Sequence, residues 1–220
     1  MSGLILTIAQ QKGGSGKTTL SAHLATALAY NKMRVAILDC DPQGSLGEWL
    51  EEREERLGSD DTGLTFRTAS GWGARREARN LAKDHDAVII DTPPKSDTEA
   101  RPAIEVGDLV VVPVQPSPMD VWACGSTIEL AHKENTATLL VLNRVPPRAS
   151  LTDEMTTALK EVDSKLAKAK LGNRVGFAGA MSLGLTIMDT DPSGKGAAEV
   201  EALRKEIVRT AKTARTAASK

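Results

Sequence analysis

The stretch "LILTIAQQKGGSGKTTLSAHL" (residues 4–24) decides the fold. It joins a short apolar run to a glycine-rich loop, and the loop to a segment whose leucines recur every four residues. These patterns predict a buried strand, a loop and a helix in direct succession. A loop that ends in Gly-Lys-Thr in this setting is typical of phosphate binding, because its backbone N–H groups and the helix N-terminus attract an anion. We therefore expect a phosphate site directly after the first strand.

The residues of this loop have distinct expected roles. Lys17 should contact the β- and γ-phosphates of a nucleotide, and the Thr18 hydroxyl should ligate Mg²⁺. The other candidate nucleotide-binding residues of the loop are Gly13, Gly14, Ser15, Gly16 and Thr19. A dinucleotide-binding turn, G-x-G-x-x-G/A, is excluded because Thr19 occupies the position of its last small residue.

A second lysine, Lys12, stands in the same loop immediately before Gly13. The usual phosphate-loop pattern needs only one lysine, and Gln11 occupies the position where that pattern has its first glycine. From the residues alone, Lys12 is either an ordinary surface charge or a group with a second function.

Short apolar runs alternate with helical segments along the rest of the chain. The predicted buried strands are 4–9, 35–39, 87–91, 109–114 and 138–143, with a weaker one at 64–69. Helices are predicted from Lys17 to about Asn31, over 150–170 with a capping box at Ser150 and Asp153, and from about Lys195 onward. This alternation is typical of parallel βαβ units. We predict a single doubly wound α/β domain over residues 1–220, with a mostly parallel twisted sheet flanked by helices and ligands at the carboxyl ends of the strands.

Composition excludes several classes of protein. The 28 Lys and Arg residues against 29 Asp and Glu residues give a formal net charge of −1, so any nucleic-acid surface would be a local patch. Two cysteines, Cys40 and Cys124, are too few and too far apart for a disulfide scaffold or a closed zinc site. The apolar start is too short for a signal peptide, and no stretch approaches the ~20 apolar residues of a membrane span. We expect a cytoplasmic protein.

Three aspartates lie at or just after the ends of predicted strands. Asp91 closes "AVIID", where a carboxylate that holds a magnesium-bound water is expected. Asp39 and Asp41 lie in "LDCDPQGS" (38–45), and the alternation of strand side chains predicts that both face the phosphate loop. Two carboxylates near one metal can steady the ion and orient the attacking water.

The three motifs "KGGSGKTT", "LDCDPQGS" and "IIDTPP", in this order, resemble those of the ParA/MinD family of deviant-Walker ATPases. The resemblance continues through "PVQPSPMDVWACGS" (113–126), "LLVLNRVPP" (139–147) and "DPSGKGAAEVEALRKEI" (191–207), and so covers nearly the whole chain. Among the branches, the sequence is most similar to short ParA-type proteins that segregate plasmids or position cargo. The chain begins directly with its first strand, so we expect no N-terminal DNA-binding extension of the kind that longer ParA proteins carry.

The resemblance implies a role for each candidate residue. Lys12 matches the family's signature lysine, which crosses the interface of an ATP-bound homodimer to contact the phosphates of the other protomer, as an arginine finger does. Asp41 matches the residue that orients the attacking water, so Lys12, Lys17 and Asp41 form the expected catalytic set. The expected metal ligands are Thr18, Asp39 and Asp91, and the expected base contacts are Asn143 and Arg144.

Two branches of the family are disfavoured by particular residues. MinD-type relatives end in an amphipathic membrane helix, but the terminal "EIVRTAKTARTAASK" has only Ile207 and Val208 as large apolar residues. Iron–sulfur relatives use two cysteines from each protomer. Here Cys40 lies inside the phosphate site, and Cys124 alone cannot supply the four thiolates from a dimer. Neither membrane binding nor a shared cluster is expected, and both cysteines are expected to be small buried residues.

Two basic segments make double-stranded DNA the expected partner in the light of the resemblance. The candidate contacts are Arg204, Arg209 and Arg215, with Lys165, Lys168 and Lys170 in reserve. The acidic stretch 48–61 would repel DNA and is assigned to another face. The expected function is that of a slow, partner-stimulated ATP hydrolase that dimerises on ATP, binds the nucleoid non-specifically and moves a cargo with a ParB-like protein. The alternative is a metabolic or metal-cluster maturation ATPase on the same fold.

Overall fold

Seven parallel strands form one sheet in the computed structural model, which describes residues 2–57, 62–94, 97–147 and 150–218. The order across the sheet is β3-β2-β4-β1-β5-β6-β7. The strands are β1 Leu4–Ile8, β2 Val35–Asp39, β3 Leu64–Thr68, β4 Ala87–Asp91, β5 Leu109–Val114, β6 Thr138–Leu142 and β7 Lys165–Leu166. The six apolar runs of the sequence are therefore strands, as predicted.

Helices cover both faces of this sheet. In chain order they are α1 Lys17–Tyr30, α2 Ser45–Leu57, α3 Gly73–Asp84, α4 Asp97–Val106, α5 Pro118–Lys133, α6 Ser150–Lys160, α7 Val175–Met181, α8 Ile187–Thr190 and α9 Lys195–Ala218. On one face, Leu6 and Ile8 of β1 pack with α1, α2 and α9. On the other, Ile5 packs with Ala78 of α3, and α5 covers β5 and β6. Because both faces are covered, the buried strands β1, β2, β4, β5 and β6 read as largely apolar runs, whereas β3 and β7 at the two edges of the sheet are partly exposed. The α/β class is confirmed.

The strand register brings the functional loops to one edge. Ile8 lies beside Asp91, and Asp91 lies beside Asp39 across neighbouring strands. The loop after β1 and the carboxyl ends of β2 and β4 therefore meet at the carboxyl edge of the sheet, where ligands of open α/β sheets bind. Within the described ranges, no helix combines the length and apolar character needed to cross a membrane.

The predicted helix over 150–170 is wrong in its second half. Helix α6 ends at Lys160, and Lys165–Leu166 instead pairs with β6 as the edge strand β7. The backbone of the following residues is bound elsewhere, because the N–H of Ala167 donates to the carbonyl of Leu140 and that of Lys168 donates to the Glu206 carboxylate. These long-range partners override the local helical pattern. The capping-box prediction for Ser150 concerns a side chain outside the described ones.

Candidate functional site

Two glycines and one asparagine shape the phosphate loop. Gly14 and Gly16 have φ angles of 77° and 92°, a backbone conformation that other residues adopt only with strain. The Asn143 amide donates to the Ser15 carbonyl at 2.8 Å, and a Cβ on Gly16 would lie 2.5 Å from that amide nitrogen. Gly16 is also the N-cap of α1 and supplies no side-chain cap. The first N–H groups of α1 are thus left for an anion at the open side of the loop.

Lys17 places a buried ammonium at the first position of α1. Its side chain is enclosed, and burial lowers its pKa while the carboxylates of Asp91 and Asp41 raise it. Asp91 is itself buried and accepts hydrogen bonds from Thr18 Oγ1 at 2.8 Å and Ser21 Oγ at 3.1 Å. Burial raises the pKa of Asp91 to about 7. The structure therefore brings the predicted residues Lys17, Thr18 and Asp91 together.

Asp39 and Asp41 occupy different surroundings. Asp41 lines a cavity of about 810 Å³ together with the phosphate loop. Asp39 does not line it; this carboxylate borders a neighbouring cavity of about 490 Å³ and accepts the Asp41 N–H at 2.9 Å. Burial raises the pKa of Asp39, and the backbone N–H groups of Asp41, Gly47 and Leu46 lower it. The prediction that both side chains face the loop holds for Asp41, whereas Asp39 turns toward the first turn of α2.

A second cavity, of about 520 Å³, continues the site beyond the loop. Thr19, Asn143 and Arg144 line it, as do His23 and Phe177, which the sequence analysis did not single out. The His23 ring lies 5.0 Å from that of Phe177, measured between centroids. Its Nδ1 lies 2.8 Å from the Thr19 carbonyl, and its Nε2 accepts the Ile187 N–H at 3.0 Å. Burial lowers the pKa of His23 to about 4, so the imidazole is neutral and links α1 to α8.

Lys12 forms an ion pair with Asp120 within the same chain. Asp120 is buried in the first turn of α5, where Ser117 caps the helix and donates its hydroxyl to the same carboxylate at 2.5 Å. Met119 and Trp122, on either side of Asp120, are 62% and 72% exposed. The second lysine of the loop is thus held at a rim that also presents apolar surface.

Some of the predicted DNA contacts form ion pairs within the chain, and others are exposed. Arg204 pairs with Glu201, and Arg215 pairs with Asp108 while also donating to the carbonyls of Ser2 and Gly3. Both arginines therefore have internal partners, and their contact with DNA stays a prediction. Arg209 and the three lysines Lys165, Lys168 and Lys170 are exposed.

The acidic stretch lies closer to the phosphate loop than the sequence indicated. Glu48, Glu51, Glu52 and Glu55 of α2 line the 810 Å³ cavity opposite the loop; residues 58–61 of the stretch fall outside the described ranges. Cys40 and Cys124 are both buried, as predicted, and burial raises the pKa of Cys40 to about 12.

Comparison with known proteins gives concordant results. The chain is 29% identical over 210 residues to "Maintenance of carboxysome distribution protein A" of Halothiobacillus neapolitanus, covering 92% of this chain and 95% of that protein. It is 27% identical to the "Chromosome-partitioning ATPase Soj" of Thermus thermophilus, and the match covers 92% of this chain and 94% of that protein. Among solved structures, an ATP complex of a Cyanothece McdA variant superposes with a TM-score of 0.77 at 16% identity, covering 95% and 96%, which shows the shared fold.

A family model described as the "CobQ/CobB/MinD/ParA nucleotide binding domain" matches residues 6–187. That span contains the phosphate loop, the three strand-end aspartates and the Asn143–Arg144 pair. The family resemblance predicted from the motifs is confirmed: this chain belongs to the CobQ/CobB/MinD/ParA family of nucleotide-binding P-loop proteins.

Proposed function

We propose that this chain is a Mg²⁺-dependent ATPase of the ParA type, which dimerises on ATP, binds double-stranded DNA without sequence preference and segregates or positions a cargo. The observation that carries the proposal is a phosphate loop with two lysines, one buried at the head of α1 and one held at the rim. The names of the Halothiobacillus and Thermus relatives, which concern carboxysome distribution and chromosome partitioning, support a cargo-moving role.

The donor groups around Asp91 fit Mg²⁺. This ion prefers carboxylate, hydroxyl and phosphate oxygens, and Thr18 Oγ1 lies 2.8 Å from the buried Asp91 carboxylate. The Asp39 Oδ2 atom is buried and has no hydrogen-bond partner among the described residues. Thr18 and Asp91 would hold the ion, and Asp39, whose charge acts on the neighbouring Asp91, would support it from the side of α2. The ion would neutralise charge on the β- and γ-phosphates.

The chain's own groups then have separate tasks. Lys17 and the loop N–H groups bind the phosphates, and Asp41, at the wall of the cavity, orients the attacking water. Asn143 holds the Ser15 carbonyl of the loop, and Arg144, which lines the 520 Å³ cavity, would contact the base there. A stimulating protein would raise a slow basal rate by completing this arrangement, as activating proteins do for other P-loop enzymes.

Lys12 would serve the other protomer. In the single chain its ammonium rests on Asp120, so dimerisation must transfer it from that carboxylate to the phosphates across the interface. The exposed Met119 and Trp122 beside Asp120 supply apolar area that a second copy would bury. Both features support a dimer interface over the phosphate loop.

One basic surface would hold the DNA. The structure joins the two basic segments, because Lys165 Nζ lies 3.4 Å from Thr210 Oγ1 of α9, and Glu206 of α9 binds the backbone of Lys168. The members of this basic surface are Lys165, Lys168, Lys170, Arg209 and Lys212, all exposed. A dimer presents two such surfaces, so affinity for phosphates rises and becomes more sensitive to salt. In the cell this would associate the protein with the nucleoid in the cytoplasm.

DNA retention measured with ATP, ADP and no nucleotide tests the proposal. The ATP form should bind unrelated duplexes equally and far more tightly than the other two forms. Arg209→Glu/Lys212→Glu should weaken binding on every sequence and flatten its salt dependence, since each lost phosphate contact lowers the log–log slope by about 0.9. Equal binding by the ATP and ADP forms would contradict a nucleotide-controlled DNA ATPase.

A further inference from the structure

Helix α3 carries a straight row of exposed side chains that the nucleotide site does not use. Trp72, at its N-cap, is 79% exposed, and exposed cations follow four, seven and eleven residues later at Arg76, Arg79 and Lys83. At 3.6 residues per turn these four positions lie on one line along the helix. We call them the arginine stripe. The opposite side of α3 is buried in the core through Ala74, Ala78 and Leu81.

Arg76, Arg79 and Lys83 have no acidic partner among the described residues. Lys83 donates there to the Asn80 side chain at 3.1 Å, whereas the neighbouring Arg75 is paired with Glu105. Other arginines form ion pairs within the chain, as in Arg53–Asp189 and Arg174–Glu199. A row of exposed cations with an exposed tryptophan at its end is therefore presented outward, with no ion pair to another described residue.

Neither the DNA nor a membrane fits this surface as well as an acidic protein segment does. Helix α3 packs on the sheet face of Leu38 and Ile90, whereas α9 packs on the opposite face, so one duplex on the basic surface cannot also reach the stripe. A helix that binds a membrane needs an exposed apolar face, whereas the apolar face of α3 is buried in the core. Tryptophan and arginine are the residue types that dominate protein–protein hot spots, and arginine binds carboxylates with two hydrogen bonds.

The stripe starts beside the loop that faces the candidate catalytic aspartates. Ser70 and Gly71, directly before Trp72, line the 490 Å³ cavity together with Asp39 and Asp41. The Ala69 N–H donates to the Asp39 carbonyl at 3.0 Å. A molecule docked on Trp72 would therefore contact a loop that borders the hydrolysis site.

We propose that the arginine stripe is the docking site for an acidic protein segment that places an apolar side chain on Trp72 and its carboxylates on Arg76, Arg79 and Lys83. The docking step stands on the charge and exposure of α3. Its regulatory consequence, a change in hydrolysis through the Ser70–Gly71 loop, rests on the proposed ATPase function.

The test uses a fluorescently labelled synthetic peptide of alternating glutamate and glycine with one central phenylalanine, titrated by anisotropy at low salt. Wild type should bind it, more weakly as salt rises. Trp72→Ala and Arg76→Glu/Arg79→Glu should each weaken binding about tenfold or more, the loss expected for a hot spot. Thermal unfolding should be unchanged, because these side chains are exposed. The matched control, Arg209→Glu/Lys212→Glu on the basic surface, should keep peptide binding.

Parallel titrations with duplex DNA and with phosphatidylserine vesicles distinguish other occupants. The proposal is overturned if wild type does not bind the peptide, if the stripe variants bind it as wild type does, or if these variants lose DNA or vesicle binding instead. The two proposals can fail separately. If the protein shows no ATP-dependent DNA binding but binds the peptide through the stripe, the proposed function is refuted and the docking site is supported.

Discussion

Acidification should destabilise this protein through His23. The imidazole is neutral, buried between α1 and α8, and its Nε2 accepts the Ile187 N–H at 3.0 Å. The unfolded chain takes up a proton on this residue near pH 6.5, whereas the folded chain does so only near pH 4. Between these values the unfolded state binds more protons, so stability falls as the pH falls. At 1.36 kcal/mol for each pKa unit, the contribution is about 3 kcal/mol.

Urea unfolding of wild type and His23→Gln from pH 7 to pH 4 isolates this contribution. The glutamine amide oxygen can still accept from Ile187, but it does not titrate, and the carboxylates common to both proteins cancel in the difference. The variant should be less stable at pH 7 by about 1–2 kcal/mol, because it loses the bond to the Thr19 carbonyl and some packing. That difference should shrink or reverse by pH 4. Parallel pH profiles for the two proteins would refute the reasoning.

Three further predictions concern individual groups. Asp41→Ala should bind ATP and dimerise but hydrolyse very slowly, because the water loses its orienting group; an undiminished phosphate-release rate would remove Asp41 from the mechanism. Gly16→Ala should lower the free energy of unfolding by about 2 kcal/mol, because position 16 has a positive φ and the added Cβ would meet the Asn143 amide. The control, Gly13→Ala, should stay near wild type in thermal melts, because a Cβ there meets nothing within 4 Å. Arg215→Ala should cost about 1–3 kcal/mol of stability through lost bonds to Asp108 and two carbonyls, with DNA binding of the ATP form kept; selective loss of DNA binding would restore this arginine to the DNA surface.

Local patterns accounted for the sheet and for the phosphate loop. The apolar runs that form β1, β2, β4, β5 and β6 are strands buried on both faces. The glycines of "GSGKT" and the N-terminus of α1 give the loop its shape. The position of Asp91 at the end of β4 follows from the same logic, because its strand lies next to β1.

Ion pairs between residues far apart in the sequence could not be predicted from local sequence patterns. Lys12 and Asp120 are 108 positions apart in the sequence, and Arg215 and Asp108 are 107 positions apart. Their pairing depends on which strands become neighbours, which periodicity does not encode. The break after Lys160 has the same origin, since its cause is β6 and Glu206 rather than the residues of the segment.

The sequence shows the helical spacing of the arginine stripe but not its exposure. The spacing of Trp72, Arg76, Arg79 and Lys83 is helical, but the segment matches no nucleotide motif, and only the structure shows that the tryptophan is exposed rather than part of the core. His23 and Phe177, which line the 520 Å³ cavity, carry no such signal, because a histidine or phenylalanine at a helical spacing is typical of ordinary packing.

We expect Lys12 to act across an ATP-dependent dimer interface. Light scattering coupled to size exclusion, with wild type, Lys12→Ala and Lys17→Ala in Mg²⁺ and ATP, measures it directly, and a separate nucleotide-binding titration shows which variants still bind ATP. Lys12→Ala should bind ATP nearly as wild type does and remain monomeric, because Lys17 and the loop amides are intact; Lys17→Ala should lose nucleotide binding itself. A Lys12→Ala protein that dimerises with ATP as wild type does would contradict the account.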